Sequence, residues 1–404
     1  MGDVGARKVI DGVKILYGDE FILMEKGYIA IEGGIIKEVG VGSYSGKADL
    51  KIDGRGLLAI PGLVNAHVHL GDSAFKDLGL GLSLDKVVGP PRGLKHFLLE
   101  KTPRDFIVHH CRRTIEDMVS SGITCFADFR EGGIEGVFML RDALKGLRVE
   151  ALILGRPKEE NMAEELNMLQ AITDGLGLGD TKAFSDEELR MLSRYFKGKL
   201  ISTHAAEAPR SLTEPSEVER AIKLLNARLL VHMLYAYDWE LRLAAENNVG
   251  VAVCPRSNAC FGLGVPDVKR MFEAGLKVGL GTDNVMTCQP DMFREMEFTF
   301  KALRILYRDP SYPKPETVFR MATLGGAEVL GLASKMGSIS EGKFANIALI
   351  DLEASNVSPS HKVIASLVHR VRADNVMAVF VRGEQVFSRI KLEEEKVEET
   401  PRNP

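Results

Sequence analysis

Short apolar runs alternate with amphipathic segments along this chain between residues 57 and 283. The runs have the length of buried strands, and the segments between them carry apolar residues at the spacing typical of surface helices. Counted in order, they make eight strand–helix units. This alternation predicts a parallel sheet, and eight units predict that the sheet closes into a (β/α)8 TIM barrel of the α/β class.

The fourth strand is the weakest of the eight, because residues 173–179 are few and rich in glycine. Two helices begin with clear signals, Thr102 before Pro103 and a capping box from Ser185 to Glu188. Strands are predicted at residues 57–69, 122–129, 148–154 and 173–179 and in runs that end at His204, His232, Cys254 and Asp283. Helices are predicted at residues 103–121, 185–196, 217–225, 238–247 and 267–274.

Four of the predicted strands end in side chains that can bind a metal or move a proton. In chain order they are His67 with His69, His204, His232 and Asp283. Side chains alternate along a strand, so His67 and His69 point the same way. Glu207 follows His204 by three residues, where its carboxylate can lie near a metal without being a ligand. One such residue alone is usually just hydrogen-bonded, but four in order on one barrel face predict a metal site.

The segments on either side of the barrel consist of short β runs with hairpin signals such as Gly33-Gly34. Neither segment is apolar enough to fold alone. We therefore expect residues 1–57 and 337–390 to form one composite β-sandwich domain beside a barrel of residues 58–336. Residues 391–404 are charged and predict a solvated helix or a frayed tail.

The motifs Pro61–His69, His204–Glu207, Cys254–Asn258 and Gly281–Asp283 together resemble those of the amidohydrolase superfamily. The resemblance covers nearly the whole chain and is to the branch of mononuclear-metal deaminases and chlorohydrolases, such as the cytosine, guanine and adenosine aminohydrolases. It implies one divalent metal ion, with Zn²⁺ expected and Fe²⁺ or Mn²⁺ accepting the same donors. The implied metal ligands are His67, His69, His204 and Asp283, and the implied catalytic residues are Glu207, His232 and Asp283.

Two positions bear on how closely the chain follows this family. Dinuclear relatives carry a bridging lysine at the end of the fourth strand, and the nearby Lys182 is better interpreted as a surface residue. Asn346 stands where relatives usually have aspartate, in the C-terminal β segment and away from the chemistry.

The resemblance implies a metal-dependent aminohydrolase that converts an amino-substituted purine, pyrimidine, pterin or nucleoside derivative to its oxo product and ammonia. Metal-activated water would attack the ring carbon, and Glu207 would carry a proton to a ring nitrogen. Asp283 would hydrogen-bond the nucleophile and pass its proton to the departing amine, while His232 would polarise the group at the reacting carbon.

Three arginines just past predicted strand ends, Arg130, Arg156 and Arg256, are candidates for binding an acidic or oxo-bearing substrate. Local salt bridges, for example between Arg130 and Asp128 or Glu131, explain them equally well. Asp72 and Asn258 are further substrate-binding candidates. The segment from residue 70 to 103 is a candidate lid, or else an ordinary excursion packed on the β domain.

Composition limits the other classes of function. The net charge is −4 without a basic stripe, and no apolar run reaches the ~18 residues of a membrane span. Five cysteines without a Cys-x-x-Cys motif favour a reducing compartment. We expect a cytoplasmic enzyme with a small heterocyclic substrate and neither nucleic-acid nor membrane partners, and homo-oligomerisation stays open. The alternatives are a chlorohydrolase or cyclic-amide hydrolase of the same superfamily and, in another class, a non-catalytic binding protein.

Overall fold

The computed structural model describes residues 5–89, 93–158, 162–211 and 213–396. The strands form two nine-stranded sheets, one for the barrel and one for a smaller β domain. They are β1 (Lys8–Tyr17), β2 (Ile22–Glu32), β3 (Ile35–Val41), β4 (Leu50–Asp53), β5 (Leu57–Pro61), β6 (Leu63–His69), β7 (Ile123–Arg130), β8 (Glu150–Gly155), β9 (Gly175–Leu178), β10 (Leu200–Ala205), β11 (Leu229–His232), β12 (Gly250–Val253), β13 (Val278–Leu280), β14 (Asp283–Asn284), β15 (Ile347–Asp351), β16 (Val376–Val381), β17 (Glu384–Ser388) and β18 (Glu394–Lys396).

The helices lie mainly between the barrel strands, as the alternating pattern predicts. The predicted capping box is present, since the Glu188 N–H donates to Ser185 Oγ at the start of the sixth helix. Within the described residues, no helix combines the length and the apolar character needed to cross a membrane. The helices are α1 (Leu84–Val88), α2 (Leu94–Lys101), α3 (Arg104–Ser120), α4 (Gly133–Leu144), α5 (Met162–Ile172), α6 (Asp186–Tyr195), α7 (Glu217–Lys223), α8 (Asp238–Glu246), α9 (Pro255–Cys260), α10 (Val268–Glu273), α11 (Met292–Tyr307), α12 (Pro315–Met321), α13 (Leu324–Val329) and α14 (Val363–His369).

The predicted (β/α)8 barrel is confirmed. Strands β6 to β13 lie side by side in chain order, and each neighbouring pair is parallel. The glycine-rich fourth strand, β9, is real, although it has only four residues. A Cβ at Gly175 would lie 1.9 Å from the Leu200 carbonyl oxygen, so this strand needs glycine to approach β10.

The eighth strand is broken in two, and the break closes the barrel. Its first half, β13, pairs with β12, while its second half, β14, pairs with β6. Thr282 lies between the halves, where its N–H donates to the His67 carbonyl at 2.9 Å and its Oγ1 accepts from Asn65 Nδ2 at 2.7 Å. These contacts join the first and last strands directly beneath His67 and Asp283.

The smaller sheet combines both ends of the chain. Strand β5 runs parallel to β1 and antiparallel to β15, so the N-terminal and C-terminal segments share one sheet. Its core consists of buried aliphatic side chains, among them Ile10, Ile29 and Leu349. Strand β5 belongs to this sheet and β6 to the barrel, so the chain passes from one sheet to the other at residue 62. The sequence-based expectation placed that boundary five residues earlier, at residue 57.

Two further segments extend the sequence-based description. Residues 394–396 form strand β18 against β4 instead of the predicted helix or frayed tail, while residues 397–404 lie outside the described range. The candidate lid, residues 70–103, contains a 3-10 helix at Leu70–Phe75 followed by α1 and α2. Its Pro90 and Pro91 also lie outside the described residues.

Replacing Leu349 by alanine should weaken the joint between the terminal segments. Leu349 is fully buried on β15, opposite Ala59 of β5. We expect the free energy of unfolding to fall by about 2–5 kcal/mol, measured by urea denaturation followed by circular dichroism. Val41→Ala, at a side chain that is 79% exposed, is the control and should change it by no more than about 0.5 kcal/mol. Equal losses in the two variants would contradict a core that spans both segments.

Candidate metal centre

Six polar side chains meet at the carboxyl ends of the barrel strands. His67 and His69 come from β6 and His204 from β10, while His232 ends β11 and Asp283 begins β14. Glu207 follows β10 in the next turn. Four of the six are almost fully buried, whereas His204 and Glu207 keep partial exposure. The structure therefore brings together every metal and acid/base candidate of the sequence.

Four donor atoms converge within this group. His67 Nε2 lies 3.2 Å from His204 Nε2 and 3.3 Å from Asp283 Oδ1. His69 Nε2 lies 3.3 Å from His204 Nε2 and 3.5 Å from Asp283 Oδ1. Four ligands held about 2.1 Å from one ion in a tetrahedron are about 3.4 Å apart, so these spacings fit one divalent metal. A ligand atom of His232 also lies within 4.8 Å of the His67, His204 and Asp283 donors.

Contacts on the far side of two imidazoles fix which nitrogen faces this centre. His204 Nδ1–H donates to the Leu178 carbonyl at 3.0 Å, which leaves Nε2 without a proton. His69 Nδ1 lies 2.7 Å from Glu131 Oε1 on the outer side of the ring, while its Nε2 faces the other donors. Burial lowers the pKa of His67 to about 3 and that of His204 well below its usual value. His67 and His204 are therefore available as neutral ligands.

Asp283 is ionised and oriented by its neighbours. Burial alone would raise its pKa, but the hydrogen bond from His67 and the surrounding histidines hold that pKa well below the usual range. Oδ1 faces the histidines, while Oδ2 accepts from Ser257 Oγ at 2.5 Å. Its backbone has a φ of 59°, a left-handed conformation that costs energy for a residue other than glycine. This strain turns the carboxylate inward at the break in the eighth strand.

Glu207 and His232 form a second pair beside the donor atoms. Asn258 Nδ2 donates to His232 Nδ1 at 3.1 Å, so the proton of the neutral ring lies on Nε2, 3.3 Å from Glu207 Oε1. Burial raises the pKa of Glu207, and His232 opposes that shift. The turn that carries Glu207 is held by the Ala206 N–H, which donates to Glu217 Oε2 at 2.8 Å.

Lys182 lies outside this group. Its ammonium is half-exposed, 2.5 Å from Glu217 Oε1 and 3.6 Å from Glu214 Oε2. The sequence interpretation of Lys182 as a surface residue agrees with this position.

Two of the substrate-binding candidates are used inside the protein. Arg130 is buried, 3.6 Å from Asp128 Oδ2, and donates to Glu131 Oε2 at 3.2 Å. This is the local ion pairing that the sequence left open for Arg130. Asp72 is fully buried, and its Oδ1 accepts from the backbone N–H groups of residues 285 and 286.

The other three candidates differ in their surroundings. Arg256 donates to the Gln289 carbonyl at 2.9 Å and lies 3.6 Å from buried Glu295, whose pKa burial raises to about 7. Asn258 is fully buried against His232. Arg156 follows β8 and is half-buried, and among the described residues its side chain makes one hydrogen bond, from Nε to the Gly177 carbonyl at 3.3 Å.

Three residues around the centre were not recognised from the sequence: two contact it, and Lys95 contacts one of those two. Ser257 lies within the Cys254–Asn258 motif, and its position one residue before Asn258 was the available signal. Glu131 directly follows β7, the same kind of strand-end position as the metal ligands, but was considered only as a partner of Arg130. Lys95 lies on α2 in a segment rich in glycine and proline, and no motif marks it.

Comparison with known proteins agrees with the site. Residues 58–386 match the amidohydrolase family. A Methanothermobacter thermautotrophicus protein provisionally named an aminohydrolase is 37% identical over 396 residues, covering 94% of this chain and 98% of that protein. The 5-methylthioadenosine/S-adenosylhomocysteine deaminase of Pyrococcus furiosus is 28% identical over 407 residues, covering 94% of each chain. Zinc-bound atrazine chlorohydrolase from Arthrobacter aurescens has the same fold, with a TM-score of 0.83 at 20% identity over 94% of this chain and 95% of that one.

The purified protein should contain about one divalent metal ion per chain. Replacing His204 by asparagine removes one converging nitrogen, so metal content after dialysis should fall more than about tenfold. Elemental analysis by plasma mass spectrometry measures it. The control is His109→Asn, an exposed histidine on α3. Full metal retention in the His204 variant would show that this group does not hold the ion.

Proposed function

The chain belongs to the amidohydrolase family, and we propose that it is a metal-dependent aminohydrolase that converts an amino-substituted N-heterocycle to the oxo product and ammonia. One observation carries this proposal. A carboxylate, Glu207, lies beside the four converging donors and contacts His232 without being one of those donors. That is the position needed to move a proton between the attacking water and a ring nitrogen.

We assign His67, His69, His204 and Asp283 as the ligands of one divalent ion, with Zn²⁺ the first choice. Three imidazoles and one carboxylate suit zinc, and a water molecule would be its fifth ligand. When bound, such an ion lowers the pKa of that water from 15.7 toward ~7. The atrazine chlorohydrolase cited above, which has the same fold, was solved with zinc bound, and this supports zinc as the ion.

Glu207 is the proposed general acid and base. Its Oε1 would accept a proton from the water molecule and return it to the ring nitrogen next to the reacting carbon. Protonation there makes the carbon of a cyclic amidine electrophilic, and it is needed far more for an amine leaving group than for a halide. Burial raises the pKa of Glu207. A carboxyl group with a raised pKa is better suited to accept and then release a proton near neutral pH.

Asp283 and His232 complete the proposed proton and charge handling. Asp283 Oδ2 is engaged by Ser257, so Oδ1 is the atom aimed at the centre to hydrogen-bond the nucleophile and pass a proton to departing ammonia. His232 carries its proton on Nε2, because Asn258 occupies Nδ1. That N–H can donate to the oxygen that develops charge at the reacting carbon.

Adenine nucleosides are the first substrate class to test, since relatives across nearly the whole chain deaminate adenosine derivatives. Arg156 is the arginine that we propose faces the substrate. Arg130, Arg256, Asp72 and Asn258 are engaged by protein groups, and we propose that they shape the pocket around it. The five cysteines are free thiols in the structure, which fits the cytoplasmic location expected from the sequence.

Ammonia release tests the proposed reaction. The metal-loaded protein is incubated with adenine nucleosides, aminopurines, aminopyrimidines, pterins and a chlorotriazine, and ammonia and chloride are both measured. Ammonia release with an oxo product supports the proposal. Chloride release without ammonia would instead assign the chlorohydrolase reaction, and binding without either product would assign a non-catalytic protein.

Glu207→Gln should lower kcat by at least about 100-fold while the metal stays bound, because the amide cannot accept the water proton. In the unsubstituted enzyme, kcat/KM should fall as the pH drops through the pKa of Glu207, since the ionised form is the base. Burial raises that pKa, so this loss should lie above pH 4.5. Glu214→Gln, at a half-exposed carboxylate paired with Lys182, is the control. Near-normal turnover in the Glu207 variant would remove its assignment.

Arg156→Met should raise KM for an anionic or oxo-bearing substrate at least about tenfold, with little change in kcat or metal content, because a guanidinium binds such groups through charged hydrogen bonds. Steady-state kinetics and elemental analysis measure the three quantities. The control is Arg228→Met, an exposed arginine just before β11 at the opposite end of the barrel. Unchanged KM for every substrate turned over would show that Arg156 does not contact it.

A further inference from the structure

A lysine side chain is buried beside the candidate metal centre. Lys95 is only 2% exposed, and it reaches from α2 to three segments: the 3-10 helix after β6, the residue after β7, and strand β14. Its Nζ lies 2.6 Å from Glu131 Oε1 and 3.3 Å from Asp72 Oδ2, and it donates to Asn284 Oδ1 at 3.0 Å. A buried ammonium needs oxygen partners such as these, because an unpaired charge inside a protein is strongly destabilising.

Glu131 connects this lysine to the centre. The same Oε1 atom that faces Lys95 lies 2.7 Å from His69 Nδ1, while Oε2 accepts from Arg130 Nη2 at 3.2 Å. His69 turns its other ring nitrogen, Nε2, toward His204 and Asp283. The contacts therefore run from the Lys95 ammonium to the Glu131 carboxylate, and from there through the His69 imidazole to the other donor atoms.

Two simpler roles fit these contacts less well. Lys95 could bind the substrate directly, but its ammonium is enclosed and already contacts oxygens of Glu131, Asp72 and Asn284. The pair could also only stabilise the fold. Yet Glu131 touches the ring of a proposed ligand, and Asn284 adjoins another, Asp283, so displacement of Lys95 would disturb the surroundings of two proposed ligands at once.

We propose that Glu131 and Lys95 are positioning residues for the metal site. Glu131 accepts the Nδ1–H of His69 and so holds the ring with Nε2 toward the ion. The Lys95 ammonium holds Glu131 in that orientation and ties α2, within residues 70–103, to the metal centre. Outer contacts of this kind set ligand orientation and basicity, and their loss weakens metal binding. This inference rests on the metal site of the proposed function, but not on its substrate.

Zinc affinity is the decisive measurement. We compare the full-length protein with Glu131→Gln and Lys95→Met by competition with a chromogenic zinc chelator. Each substitution should raise the zinc Kd about 10–100-fold. The control pair is Glu219→Gln and Lys223→Met on α7, whose ion pair has the same 2.6 Å separation but is exposed, and these should leave the Kd unchanged.

The double variant Lys95→Met with Glu131→Gln tests whether the lysine acts through the carboxylate. If it does, the double variant binds zinc no more weakly than Glu131→Gln alone, because the two effects are coupled. It also serves if a single variant fails to fold, since neutralising both members of a buried pair together avoids an uncompensated charge. Additive losses would overturn the role of Lys95.

Proton NMR supplies a signature that fold stabilisation alone would not produce. The zinc-loaded protein should show a downfield imidazole N–H resonance that disappears in His69→Asn and shifts upfield in Glu131→Gln. A zinc Kd within twofold of the unsubstituted value in folded Glu131→Gln would overturn the proposal. So would variants that lower only the melting temperature of the metal-free protein. If the unsubstituted protein itself binds no zinc, the metal assignment fails, which is a distinct result.

Discussion

Three imidazole nitrogens and one carboxylate oxygen converge in a buried site, where four of their separations lie between 3.2 and 3.5 Å, and the rest of the structure depends on holding these atoms together. Lone pairs aimed at a common point repel one another unless a cation lies between them. The left-handed backbone at Asp283 costs energy, and the surrounding contacts hold it, among them the hydrogen bond across the barrel seam from Asn65 to Thr282. The barrel thus supplies rigidity, and a bound ion would supply the compensating charge.

Around these donors, each orienting contact comes from a different strand end. The Leu178 carbonyl at the end of β9 fixes His204, Glu131 after β7 faces His69, and Ser257 after β12 holds Asp283. A (β/α)8 barrel brings all such ends to one face, so residues distant in sequence can constrain one another there. Glu207 differs from these residues, because it neither belongs to the four donors nor orients one of them. It contacts His232 instead, and it is the residue that we propose moves protons.

The sequence predicted which side chains would meet, because each of them lies at or next to a strand end, and His67 and His69 obey the two-residue period. The division into proposed ligands and catalytic residues came from the family resemblance. The sequence also predicted all eight barrel strands, because most of them are continuous apolar runs, although the glycine-rich fourth gave only a weak signal. Its limits have physical reasons. Lys95 is buried by tertiary contacts on a short helix that has no periodic signal, and Arg130 and Glu131 are adjacent, so a local ion pair obscured the contact with His69. Substrate contacts depend on side-chain directions that strand positions do not determine.

The position of Asp283 on the last barrel strand determines when the set of donor atoms becomes complete during folding. During synthesis the ribosome releases His67, His69 and His204 well before Asp283, which lies 216 residues after His67. A nascent chain therefore holds three imidazoles without the carboxylate that completes the set. Only when β14 joins β6 does the fourth donor arrive, and the same event closes the barrel. On the ligand assignment proposed above, the complete donor set therefore exists only in the closed barrel.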